Sequence, residues 1–184
     1  MLAIISPDTN SYAQEEEDYS LLLPASCPPA PEDDRGYIVS VGQMAPDFEV
    51  KTTENKTFKL SENRGKVVML QFTASWCGVC RKEMPFIESD IWLPLKDKPF
   101  VLIGIDRDEP LDVVIEFAKK MNVTYPLGLD PGAAVFALYA KKEAGITRNV
   151  IIDETGKIVY LTRLFEEKEF NDMKEVIHNL LNLD

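Results

Sequence analysis

Gln71-Phe72-Thr73-Ala74-Ser75-Trp76-Cys77-Gly78-Val79-Cys80-Arg81-Lys82-Glu83-Met84-Pro85 is the stretch whose reading decides the fold. An apolar run, Val67-Val68-Met69-Leu70, leads into it and reads as a buried strand bounded upstream by Arg64-Gly65-Lys66. Beyond Cys80, Met84, Ile87, Ile91 and Leu95 recur every three or four residues, the period of a helix with one buried face. Two cysteines separated by two residues therefore fall where a strand gives way to a helix. A helix N-terminus offers unpaired N–H groups and a partial positive charge, which favour a thiolate over a thiol. With Cys77 opening the helix, Cys80 lies one turn further in, placed to attack a mixed disulfide on Cys77 and release the partner as a thiol.

Working outward, further strands are expected at Phe100-Val101-Leu102-Ile103-Gly104-Ile105 and at Arg148-Asn149-Val150-Ile151-Ile152-Asp153. Glu154-Thr155-Gly156-Lys157 reads as a hairpin turn into Ile158-Val159-Tyr160-Leu161. Asp108-Glu109-Pro110 reads as a helix start with a capping acid, and Asp130-Pro131-Gly132 as another. The chain closes on an amphipathic helix carrying Phe170, Met173, Val176, Ile177, Leu180 and Leu181 on one face. Upstream, Tyr37-Ile38-Val39-Ser40-Val41 is strand-like, and two short extended pieces flank Thr53-Glu54-Asn55 as a hairpin. Pro85 should kink the first helix. Strands alternating with helices, closed by a hairpin and a last helix, predict an α/β fold with a mixed sheet covered on both faces.

The 184 residues suffice for one domain with a sizeable core. Residues 37–184 are read as that domain and residues 1–36 as a leader: flexible, acidic and rich in proline. Of the net charge of −11, seven units lie in the first forty residues, where eight acids face Arg35 alone. No basic surface for nucleic acid is expected, and no run approaches the roughly 18 apolar residues of a transmembrane segment. Met1 to Ile5 and Ser11-Tyr12-Ala13 read as the tail of an export signal, so an extracytoplasmic or periplasmic location is expected, with a cytoplasmic one as the alternative. Cys27 reads as a loop cysteine, with a lipid-attachment site as the weaker alternative. Three cysteines rule out a disulfide framework. A zinc site would need four ligands, and only Cys27 and His178 remain to be recruited; His178 reads as a surface or core-edge residue.

On the motif Ala74-Ser75-Trp76-Cys77-Gly78-Val79-Cys80-Arg81-Lys82-Glu83-Met84-Pro85, on Gly42-x-x-Ala45-Pro46-Asp47-Phe48, on Gly65-Lys66-Val67-Val68 and on Val150-Ile151-Ile152-Asp153 with Gly156-Lys157-Ile158-Val159, the chain resembles the thioredoxin-like thiol-disulfide oxidoreductases of the TlpA/ResA type, which are extracytoplasmic bacterial proteins. That resemblance implies a thioredoxin fold with an added N-terminal β-hairpin, Cys77 as the exposed attacking thiol and Cys80 as the buried resolving thiol. It also implies that Trp76 shapes the docking surface, that Gly78 and Val79 belong to the site, and that Glu83 and Pro85 are structural features of the helix. No cofactor or metal is expected. The partners implied are proteins with disulfides and a separate electron donor, and a monomer is expected.

Two positions depart from the family pattern. Gln71 stands where many thioredoxins carry a buried Asp that assists proton transfer to the resolving Cys; Gln cannot titrate, so water or another carboxylate must serve. Thr147, after Ile146, stands where the family has a cis-proline. A trans Ile146–Thr147 bond is expected, because a cis bond before a non-proline costs about 3 kcal/mol. A hydroxyl near the thiolate would compensate, whereas Arg148 reads sooner as a surface residue than as added positive charge at the site. A peroxiredoxin-like peroxidase would need Pro seven and Thr three residues before its cysteine; Leu70 and Ala74 occupy those places for Cys77, and Thr73 and Cys77 for Cys80. A non-catalytic thioredoxin-like binding module is the other rival, against which the intact cysteine pair argues.

Overall fold

The computed structural model describes residues 35–183. Readings that concern the leader, the export signal and Cys27 lie outside the described residues.

Strand β1 (Glu49–Lys51) and β2 (Thr57–Lys59) form an antiparallel hairpin, with Val50 opposite Phe58. Its turn places Asn55 at φ +60°, a left-handed conformation that asparagine tolerates better than most residues. The main sheet takes β3 (Val67–Thr73), β4 (Phe100–Arg107), β5 (Leu127–Asp130), β6 (Arg148–Ile152) and β7 (Ile158–Arg163) in the order β5-β4-β3-β6-β7. The strands β3, β4 and β5 are parallel and joined by helical crossovers, while β6 and β7 run antiparallel. This is the expected mixed sheet, and the architecture is the α/β thioredoxin-like fold with an N-terminal hairpin. An isolated bridge between Thr52 and Gly128 ties the hairpin to the edge strand β5.

β3 is central and buried at every residue, so its alternation sorts the core into two layers. Val68, Leu70 and Phe72 pack with Phe48, Leu60, Phe136 and Tyr139 on the hairpin side. Val67 and Met69 face the other layer, built from α1 (Gly78–Ile87), α3 (Leu111–Met121) and α5 (Glu167–Leu180). Gln71 and Thr73, in phase with Met69, therefore look toward α1. The helix does not break at Pro85. It runs through the proline and takes up a π-turn over Glu88–Trp92 before the short α2 (Leu93–Leu95), the local adjustment by which a helix absorbs the hydrogen bond that proline withdraws.

Two expectations need correction. Tyr37–Val41 is not a strand: Tyr37 makes one bridge, to Ala140, and its hydroxyl donates to the Thr162 carbonyl at 2.6 Å. Neither Asp108 nor Glu109 caps α3, whose N-cap is Pro110. Asp108 accepts the Gly132 N–H instead, and Glu109 turns toward residue 75. Asp130 does cap, accepting the N–H groups of Val135 and Phe136 at 2.8 and 2.9 Å ahead of α4 (Phe136–Tyr139).

Phe72 is the hinge of the hairpin-side core, with ring centroids 5.5 Å from both Phe136 and Tyr139. Phe72→Ala is expected to destabilise the domain by about 3–5 kcal/mol, measurable as a lower midpoint in urea denaturation with an unchanged slope.

Candidate functional site

The parallel strands β3 and β4 both end on the same edge of the sheet, where Thr73 and Asp106 are register partners. β3 continues as Ala74-Ser75-Trp76, closes a turn with the Cys77 N–H on the Ala74 carbonyl at 3.1 Å, and enters α1. Cys77 is the N-cap residue of that helix. Its sulfur accepts the Cys80 N–H at 3.1 Å, so a sulfur occupies the place that a Ser or Asp oxygen usually takes. The two cysteines are joined as a disulfide, with Cα atoms 5.3 Å apart. Cys80 is wholly buried and Cys77 is 8% exposed. Trp76 stands out beside them at 61% exposure, Gly78 is exposed and Val79 half-buried.

Across the disulfide lies the segment that ends in Ile146 and Thr147, both buried. The Ile146–Thr147 bond is trans, as every peptide bond of the described residues is. The Thr147 hydroxyl sits 3.2 Å from the Cys77 sulfur and 3.3 Å from that of Cys80. Three guanidinium groups hold this segment by its carbonyls. Arg107 donates to Lys142 at 2.7 Å, Arg148 to Gly145 at 3.1 Å, and Arg163 to Thr147 at 3.2 Å. Arg148 is thus no surface residue: it is fully buried, with its guanidinium carbon 4.5 Å from the centre of the Tyr37 ring. Burial pulls its pKa down.

Behind the cysteines the α1 face of the sheet is polar. Glu83, one turn beyond Cys80 on the same helical face, is buried and accepts from Asn149 Nδ2 at 2.6 Å and Gln71 Nε2 at 3.4 Å. Gln71 in turn accepts the Tyr125 hydroxyl at 2.8 Å. Burial pushes the Glu83 carboxyl up to about 7, the hydrogen bonds from Asn149 and Gln71 opposing that rise. From sequence alone Glu83 reads as a helix feature, and its spacing of three from Cys80 is the signal that points to the site. Thr73 directs its hydroxyl to the Met84 sulfur at 3.4 Å, and His178 lies half-buried on α5. Among the described residues, no group of three or more His, Cys, Asp or Glu is placed to hold a metal ion, and no helix is long and apolar enough to cross a membrane.

Such an arrangement can pass two electrons between a dithiol and a disulfide. Comparison with known proteins agrees. The Redoxin family model matches residues 40–177. The thiol-disulfide oxidoreductase ResA of Bacillus cereus is 31% identical over 121 residues, covering 66% of this chain and 68% of its own. A solution structure from Bacteroides thetaiotaomicron, a provisionally named protein disulfide isomerase, superposes with a TM-score of 0.78 at 66% identity, over 80% of this chain and 93% of that one. A thiol:disulfide interchange protein DsbE, so named provisionally, from Chlorobium tepidum gives 0.70 at 26% identity, covering 78% and 99%. With most of its described length inside one family model and ResA sequences aligned across the cysteine pair, the chain belongs to the Redoxin family and is a thiol-disulfide oxidoreductase of the ResA kind.

Proposed function

We propose that this protein reduces disulfides of extracytoplasmic proteins, with Cys77 as the attacking sulfur and Cys80 as the resolving one. The observation that carries the assignment of roles is the N-cap geometry: Cys77 alone of the pair reaches the surface, and its sulfur accepts a helix N–H. The extracytoplasmic location rests on the export-like sequence at the N-terminus.

In the reduced protein the Cys77 thiolate attacks one sulfur of a substrate disulfide. That S–S bond breaks, a mixed disulfide forms at Cys77, and the departing substrate sulfur takes a proton. Cys80 then gives up its proton and attacks the Cys77 sulfur. The substrate leaves as a dithiol, and the electron pair it has gained is matched by the new Cys77–Cys80 disulfide, which a separate thiol donor reduces. Glu83 is the proton acceptor for Cys80 in this scheme, because Gln71 cannot titrate and the Glu83 carboxyl exchanges protons near neutral pH. Gln71 and Asn149 orient it. Thr147 replaces the family's proline with a hydroxyl that reaches both sulfurs, Ile146 packs in the core behind it, and the exposed Trp76 offers an apolar surface for a polypeptide substrate.

Four measurements test this scheme. Cys80→Ser is expected to accumulate a covalent adduct with its partner on a non-reducing gel, dissolved by dithiothreitol, whereas Cys77→Ser forms none; adducts on Cys77→Ser alone would reverse the roles. The insulin-reduction rate of Glu83→Gln should lose its rise through about pH 7. Stability should change with it: the folded pKa of Glu83 lies above its unfolded value, so the native state holds the extra proton, and stability declines as pH rises from about 4.5 through about 7. Glu83→Gln removes that slope, roughly 3 kcal/mol. Thr147→Val deletes a hydroxyl that would donate to the thiolate in the reduced state, and its potential should fall by about 30–60 mV; an unchanged potential would show the hydroxyl to be idle.

A further inference from the structure

At the carboxyl end of β4, next to the site, Asp106 is completely buried, and no N–H or O–H group donates to either of its carboxyl oxygens. The group within its hydrogen-bonding reach is the carboxyl of Glu109. Glu109 spends both oxygens on one residue: Oε2 accepts the Ser75 N–H at 2.5 Å and Oε1 accepts the Ser75 hydroxyl at 2.6 Å. The Ser75 carbonyl is taken as well, by Arg81 Nη1 at 3.2 Å. Ser75 is thereby held at every polar atom, two residues before Cys77. A buried carboxylate with no donor is driven to the neutral form, and two carboxyls in contact share a proton. The proton accordingly belongs to Asp106, which donates it to the Glu109 carboxylate.

We propose that Glu109 is a positioning residue for the reaction, fixing the Ser75-Trp76-Cys77 turn through Ser75, and that protonated Asp106 locks Glu109 in place from the core side. Glu109 touches neither sulfur; it acts by setting where the turn presents Cys77 and Trp76 to a substrate. The inference rests on Cys77 being the attacking sulfur only for its consequence in catalysis, since the lock itself exists in the oxidised protein. Loss of the Asp106 proton puts two like charges in contact. Asp106 is fixed in the sheet, so Glu109, on the loop after β4, is the one to move, and it releases Ser75. The charges facing Asp106 reinforce this behaviour. Glu109 comes from that loop and Asp130 from the end of β5, both acidic, while the β3 neighbour Thr73 is uncharged. Arg107, the cation beside Asp130, is engaged with the carbonyls of Lys142 and Ala144.

The test uses the oxidised full-length protein, in which the Cys77–Cys80 pair does not titrate, and follows Trp76 emission in a Trp92→Phe background, where it is the sole indole. Burial and the neighbouring acids push the Asp106 carboxyl up to about 8, so emission should show a transition near that pH. Asp106→Asn, whose amide donates to Glu109 at any pH, should abolish the transition and keep the low-pH signal throughout. In Glu109→Gln the repelling charge is gone, so ionisation of Asp106 no longer expels residue 109 and the transition near that pH should likewise disappear. An unshifted transition in both variants would overturn the proposal. If Asp106→Asn does not fold, the presence or absence of the transition in Glu109→Gln alone decides. For the reduced enzyme, Glu109→Ala should lower kcat/KM for insulin on the order of tenfold while Glu109→Gln recovers part of it at neutral pH; equal activity of Glu109→Ala and wild type would likewise overturn it.

Discussion

The contact between the Cys80 N–H and the Cys77 sulfur is the interaction on which the rest of the structure depends. It requires a helix to begin at residue 78, its first N–H groups converging on the point where the preceding strand delivers a sulfur. The delivery is constrained on every side. β3 is buried along its whole length, the Ser75 backbone and hydroxyl are bound, and Thr147 closes the opposite side. A thiolate at that position is stabilised by fixed dipoles that need no rearrangement when charge develops. Of the two sulfur-bearing residues only Cys77 reaches the surface, and its proposed role as the attacking thiol rests on that geometry.

Holding the pair in this way places polar groups where a hydrophobic core would be more stable. Gln71, Thr73, Glu83, Asp106, Asn149 and Thr162 are all buried in the main sheet or the first helix. Most satisfy one another: Asn149 bridges Glu83 and the Thr162 hydroxyl at 2.6 and 2.9 Å, and Tyr125 closes the Gln71 end. Such a network specifies one arrangement when it is complete and is costly where a partner is missing. Its two carboxyls, Glu83 and Asp106, are those that burial drives toward the neutral form, and they flank the cysteine turn from the α1 side and the β4 side. Titratable groups perturbed by burial beside a reactive thiol are what proton-coupled sulfur chemistry near neutral pH requires.

The segment facing the disulfide solves a second problem. A proline there would restrict the backbone by its ring. This chain has threonine, and tertiary contacts supply the rigidity instead. Arg107, Arg148 and Arg163 reach in from β4, β6 and β7 to the carbonyls of residues 142, 145 and 147. The positive charge this gathers is offset in part by Glu169, which pairs with Arg35 and accepts the backbone N–H of Arg163. Because guanidinium groups keep their charge at any relevant pH, the clasp is permanent, and Thr147 gains a hydroxyl at the sulfurs that proline could not provide.

The sequence by itself determined the strands β3, β4, β6 and β7, the helices α1, α3 and α5 that alternate with or follow them, the position of the cysteine pair at a strand-to-helix junction, and the late hairpin. Each of these is set by local periodicity or by turn chemistry, which neighbouring residues report. The loss of the titratable Asp at Gln71 and of the proline at Thr147 was equally legible, since both follow from residue type. What only the tertiary structure decided were the partners of isolated polar residues. Glu83 reads as a helix feature from sequence, whereas in the fold its side chain is buried. Arg148 read as a surface residue until Tyr37 and Gly145 were seen around it. Asp108 and Glu109 matched a helix cap by spacing, yet they bind Gly132 and Ser75, residues remote in the chain. A carboxylate's proton affinity and a guanidinium's role depend on desolvation and on groups tens of residues away, and no local pattern encodes either.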